Sequence, residues 1–329
     1  MSRLAEILER QHPRIIIFAG KGGLGKTTCS AGLSYHYATL EKKRTLCFST
    51  DPQASLSDIF ETNLFGRGEI EISSNLFVSE IDADNRIIAY QNEIKQKIRD
   101  MYKIEEIPKE IEEYINSTSA EPAMYESATY DAMAELVSKQ TYDVNVFDMP
   151  PFGHGVRMVA MASMLTKWVE KITEARKEAQ NYESVAATLR GGAITEDAVL
   201  NELTSIREKL TLFTDLLKDR EKTAFFMVLI PEELAILDTD KALEMFNSLD
   251  LKLSGIVVNQ VYPPTLAEHV KLSEFLRHKI EMQRSHLDEI KEKYAENVVA
   301  VLPMYHKEPK GMQMIEQVSR DLMQSPIQI

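Results

Sequence analysis

The sequence predicts a doubly wound α/β protein with a mostly parallel sheet and an inserted helical subdomain. Three observations predict it. Short apolar runs of strand length recur along the chain. Helical stretches alternate with them, the pattern that gives a parallel sheet with right-handed crossovers. Two long stretches, Asn85–Gln140 and Val156–Arg220, contain no strand-like run and are rich in the good helix formers Ala, Glu, Lys, Met and Leu.

In chain order the main runs are Arg14–Ala19, Arg44–Ser49, Val144–Asp148, Ala224–Ile230, Ser254–Asn259 and Asn297–Leu302, with Leu76–Ile81 weaker. They are apolar on both alternating faces, as strands covered by helices on both sides must be. The two strandless stretches exceed what a crossover needs. They are expected to pack together as a second subdomain, with Gly191-Gly192 breaking the second stretch into two arms. The expected division is 1–84, 141–155 and 221–329 for the core, and 85–140 and 156–220 for the insertions.

Composition narrows the functions. The chain has 329 residues, 44% hydrophobic and 27% charged, enough to bury a core without cross-links. Its 51 acidic residues outnumber 38 basic ones, for a net charge of −13, which disfavours nucleic acid or an anionic membrane surface as main partner. Two cysteines, Cys29 and Cys47, provide neither a disulfide framework nor a four-cysteine zinc site. The N-terminal segment is charged throughout, unlike a signal peptide, and no apolar run approaches a membrane span. A cytoplasmic protein is expected. Each motif below occurs once, so the chain is not a tandem duplication.

Gly20-Lys21-Gly22-Gly23-Leu24-Gly25-Lys26-Thr27 follows the first strand, opens a helix, and matches G-x-x-x-x-G-K-[ST]. Glycines let the backbone N–H groups converge on phosphate oxygens, and the helix N-terminus adds partial positive charge. Lys26 is expected to reach the β- and γ-phosphates of ATP, Thr27 to ligate Mg²⁺, and Thr28 to complete the binding loop. Asp51 stands at the C-terminal end of the second strand, where ligands bind in open α/β sheets. Residue chemistry alone leaves it two readings: a carboxylate aligning the attacking water, or a turn aspartate before Pro52. Asp148 ends the third main strand and is placed to hold the metal, with Thr27 and Asp51. Gly153 and Gly155 give hinge freedom to the segment after it, and His154 is either a switch residue or a surface histidine.

Lys21 is not required by a plain phosphate loop. GKGGLGKTT resembles the deviant Walker A motif of a class of dimeric ATPases, in which the first lysine reaches the partner's phosphates. Ser49–Asp58 (STDPQASLSD) and Phe147–Arg157 (FDMPPFGHGVR) resemble two switches of the ArsA and tail-anchored-protein targeting ATPase family, whose usual patterns are close to DPAHxLSD and DTAPTGHTLR. The resemblance extends over nearly the whole chain. It implies a homodimer holding two nucleotides face to face, with Asp51, Lys21 and Lys26 catalytic and Glu232 of IPEEL near the partner's nucleotide. It also implies adenine reading by Asn259 and a loop at 302–311 closing over the base. Gln53-Ala54 replaces the family's Ala-His, and Met149 and Phe152 each replace Thr, so coupling of hydrolysis to the switches is expected to differ.

Two absences shape the expected role. The region 270–282, which resembles a zinc-pinned dimer contact, has no cysteine, so no zinc site is expected; His278 and His286 are eight apart on a predicted helix, too far to ligate together. No cysteine follows Cys47, so an arsenite site of the known thiolate kind cannot form. Met158, Met161 and Met164, followed by Leu165 and Trp168, fit either a groove for a client's transmembrane segment or an ordinary buried helix face. The leading expectation is a targeting ATPase for membrane-segment clients. The alternative is the soluble motor of arsenite or anion efflux through a membrane partner.

Overall fold

The computed structural model describes residues 1–50, 55–64, 66–81, 83–102, 104–117, 122–149, 211–263 and 274–325, together with 170, 171, 173, 174, 204, 208, 266 and 327. The chain divides into two compact units: 1–82, 139–156 and 217–329; and 83–138 with 157–216.

In the first unit eight described strands form one sheet: β1 (Ile15–Ala19), β2 (Thr45–Ser49), β3 (Ile70–Ser73), β4 (Leu76–Glu80), β5 (Val144–Asp148), β6 (Thr223–Leu229), β7 (Leu253–Val261) and β8 (Val298–Pro303). Their spatial order is β3-β4-β2-β5-β1-β6-β7-β8. Every pairing is parallel except β3 with β4. All seven runs read from the sequence are strands. The eighth, β3, escaped that reading because its four residues alternate Ile with Glu and Ser and are only half-buried at the sheet edge.

Helices flank the sheet: α1 (Arg3–Gln11), α2 (Lys26–Tyr35, continued by a π-turn at His36–Leu40), α3 (Ser55–Ile59), α7 (Glu233–Ser248), α8 (Glu274–Tyr294) and α9 (Gly311–Gln324). Ser2 caps α1 by accepting from the Ala5 N–H, and His12 ends it in the left-handed region before Pro13. β1 is buried along its whole length, and Phe18 packs on Phe226 with ring centroids 5.7 Å apart. The apolar stripe of α9 faces inward: Ile315, Val318 and Leu322 are buried with the core of α2. A side chain at Gly32 of α2 would lie 2.7 Å from Val318 Cγ1 and 3.1 Å from the Ser319 nitrogen, so the two helices meet at a residue that must be small.

The second unit is helical among its described residues. It contains α4 (Ala83–Tyr102), α5 (Lys109–Ser117) and α6 (Pro122–Ser138), with most of a helical stretch at 211–218. The Gln91 amide donates to the Ile115 carbonyl at 2.7 Å, tying α4 to α5. Tyr130 and Phe213 meet edge to face at 4.8 Å. No described helix is long and apolar enough to cross a membrane.

Candidate active site

β1 lies at the point where the strand order reverses, with β5 on one side and β6 on the other. Open α/β sheets bind ligands beyond the strand C-termini at this position. The loop leaving β1 turns there because its glycines accept unusual backbone angles: Gly23 has φ +80° and Gly25 φ +96°. Gly25 then starts α2 without any side-chain cap of its own for the first amides of the helix.

A cavity of about 650 Å³ opens over this loop. Gly22, Gly23, Gly25, Lys26, Thr27 and Thr28 form one wall, Ser55, Asp58 and Ile59 of α3 a second, and Asn259 and Gln260 a third. The segment 304–310 closes it, supplying Met304, Tyr305, Lys307, Glu308, Pro309 and Lys310. This is the loop whose sequence resembles a base-closing segment. A larger cavity of about 740 Å³ lies between residues 303–307 and α9, away from the phosphate loop, with Asp321 accepting from the Tyr305 hydroxyl at 3.0 Å.

Lys26 is buried, and its ammonium donates to the Lys21 carbonyl at 3.1 Å. The Thr27 hydroxyl donates to Asp148 Oδ2 at 2.7 Å. Asp148 is 1% exposed, and Ser49 and Ser55 direct hydroxyls at the same oxygen from 3.3 and 3.5 Å. The result is a compact set of hard oxygen donors, a chemistry that suits Mg²⁺ rather than a soft metal. The carboxylate also reaches through the core: the Cys29 thiol is pushed far up, first by burial and then by the charge of Asp148. Cys47 is pushed up to about 12, mainly by burial.

Asn259 donates its amide to the Leu24 carbonyl at 2.8 Å, and Gln260, itself at φ +59°, extends toward the Gly23 carbonyl at 3.4 Å. β7 therefore braces the phosphate loop from the side. Lys21 differs from Lys26. Its ammonium is half exposed, pairs with Asp238 of α7 at 3.1 Å, and is not among the residues lining the cavity. Gly20 must be glycine, because a Cβ there would lie 2.5 Å from the Val228 carbonyl oxygen. Glu232 is exposed at the N-terminus of α7 and does not line the cavity either. Asp51, Gly153, His154, Gly155, the methionines at 158, 161 and 164, and Trp168 lie outside the described residues.

Sequence reading assigned no role to Glu80, Asp238, Ser49 or Ser55. The signal for Glu80 was present: a carboxylate inside the apolar run LFVSEI at a strand end.

The model of the anion-transporting ATPase family matches residues 13–324. The chain belongs to the anion-transporting ATPase family. It is an ATP hydrolase, and its relatives carry that name. It is 29% identical to ATPase GET3 of Malassezia globosa over 97% of this chain and 94% of that one. It is 28% identical to ATPase ASNA1 homolog 1 of Paramecium tetraurelia over 95% and 93%. A protein of Aquifex aeolicus provisionally named arsenical pump-driving ATPase 2 is 28% identical over 94% and 99%.

Proposed function

We propose that this ATPase works as a homodimer in which ATP draws two copies together, and that the closure controls a client-binding surface on the helical unit. The observation that carries the reading is the separation of the two loop lysines. Lys26 lies buried against its own cavity, whereas Lys21 stands half exposed outside that cavity's lining. A half-exposed cation outside its own cavity lining is free to serve a neighbour's phosphates once its pairing with Asp238 is exchanged.

Thr27 and Asp148 would hold Mg²⁺, with Asp51 completing its shell. When bound, Mg²⁺ neutralises charge on the phosphate oxygens. The loop amides and Lys26 orient the phosphates, Asp51 aligns water, Asn259 reads the adenine edge with its paired donor and acceptor, and segment 304–310 covers the base. Glu232 lies near the partner's nucleotide. The second switch, following Asp148, passes the closed state to the segment after Arg157, whose methionines accept a client's membrane segment.

A second reading, the soluble motor of arsenite or anion efflux through a membrane partner, is favoured by the family description and by the pump-driving name of one relative. Against arsenite itself stand the two cysteines, both buried and both held as thiols. ATP turnover measured alone, with arsenite and with a transmembrane peptide separates the two. Stimulation or slowing by the peptide alone supports targeting; stimulation by arsenite alone supports efflux and overturns the client reading.

A further inference from the structure

We propose that Glu80 is a positioning residue for the first switch, acting on turnover by holding the helix that follows Asp51. This rests on the reading of Asp51 as the residue that aligns water.

Glu80 ends β4 and is 5% exposed. Its Oε1 accepts from the backbone N–H of Leu56 at 2.5 Å and of Ser57 at 2.9 Å, and its Oε2 accepts from the Ser57 hydroxyl at 2.5 Å. These amides belong to the first turn of α3, where a helix leaves N–H groups without partners of its own. The preceding residue, Ala54, has no side-chain oxygen to cap them. A carboxylate from a different strand takes the role, through charge-assisted bonds that are shorter and stronger than neutral ones.

The position matters for the site. Ser55 opens α3 and points its hydroxyl at Asp148 Oδ2. At the other end of the four-residue segment 51–54, Thr50 donates both its backbone N–H and its hydroxyl to the Asp148 carbonyl, at 3.0 and 3.2 Å. Glu80 itself sits opposite Ser49 in the parallel register of β2 and β4. Thr50, before Asp51 in the chain, is thus tied to β5, and α3, which starts four residues after Asp51, is tied to Glu80. A residue that must place a water in line depends on both ties. The hydrogen bonds of Glu80 touch no substrate, so its effect passes through α3.

The test compares Glu80→Gln, Ser57→Ala and Asp51→Asn, alone and combined, by single-turnover and steady-state ATP hydrolysis, ATP affinity and thermal unfolding. Glutamine keeps one acceptor oxygen but loses the charge and the second acceptor. Glu80→Gln should lower kcat about tenfold, the size set by weakening charge-assisted bonds, while ATP affinity stays within about twofold. Ser57→Ala, which removes the bond to Glu80 Oε2 together with the acceptor of the Leu64 N–H at a less buried site, should lower kcat about threefold in the same manner. Neither change should lower the residual turnover of Asp51→Asn further. A structural cap alone would lower unfolding temperature without that non-additivity. Unchanged kcat in Glu80→Gln, or an undiminished loss in the Asp51→Asn background, overturns the proposal. If Glu80→Gln does not fold, unchanged kcat in Ser57→Ala overturns it. Near-normal turnover of Asp51→Asn removes the underlying reading, a result distinct from an impaired Asp51→Asn beside an unimpaired Glu80→Gln.

Discussion

Replacing Gly25 by alanine tests how β7 braces the phosphate loop. Gly25 has φ +96°, and a Cβ there would lie 2.1 Å from Asn259 Nδ2. That atom currently donates to the Leu24 carbonyl at 2.8 Å. The left-handed backbone costs an alanine about 1–2 kcal/mol. The clash adds more, because Asn259 must turn away and its buried bond, worth about 1 kcal/mol, is lost. Gly25→Ala should therefore cost about 2–4 kcal/mol, or about 3–6 °C in unfolding temperature for a chain of this size. Gly23→Ala provides the control. Its φ is +80°, but nothing lies within 4 Å of the added carbon, so only the backbone cost applies. The decisive assay is a double-mutant cycle. Asn259→Ala removes the obstacle, so Gly25→Ala should cost about 1–2 kcal/mol less in that background than in the wild type. ATP affinity, read with a fluorescent analogue, should fall more for Gly25→Ala than for Gly23→Ala. Strict additivity, or equal costs at the two glycines, would refute the brace.

Three further outcomes follow from the site and its surroundings. Thr27→Val, which removes the hydroxyl 2.7 Å from Asp148, should cut turnover by tenfold or more and raise the Mg²⁺ concentration needed for half-maximal rate; an unchanged Mg²⁺ titration would take Thr27 out of the metal shell. Cys29 and Cys47 are buried thiols pushed far up and to about 12, so neither should react with a disulfide reagent near neutral pH until the protein unfolds; rapid labelling of the native protein would contradict this. His36 is lowered from 6.5, first by burial, against the opposing pull of Glu41. Below the unfolded value the unfolded chain gains a proton that the folded chain refuses, so stability falls as pH drops through about 6.5 toward the folded value. His36→Gln should flatten the dependence of the denaturation midpoint on pH in that window, and an unchanged slope would remove His36 as its source.

The sheet was legible because parallel strands covered on both faces read as unbroken apolar runs, and β1, β5 and β6 are buried at every position. β3 was not legible: its register slips against β4, and none of its four residues is fully buried. The phosphate loop was legible from spacing alone, since its glycines serve local backbone geometry. The carboxylate of Glu80 stood out in its apolar run, but its partners and those of Asp238 did not, because they lie 23 and more residues away and meet only on folding. The packing of α9 against α2 was not legible either. Gly32, which permits α9 to approach α2, carries no pattern that announces a helix crossing.

Mixing two inactive variants tests the central proposal of a shared site most directly. Lys21→Ala and Asp51→Asn chains are each expected to be inactive as homodimers. If Lys21 acts across the interface while Asp51 acts within its own chain, a mixed dimer has one complete site, and an equimolar mixture should recover about a quarter of wild-type turnover per chain. If the mixture stays as inactive as its components although mixed dimers form, both residues act within one chain, and the account of paired subunits sharing their catalytic charge is wrong.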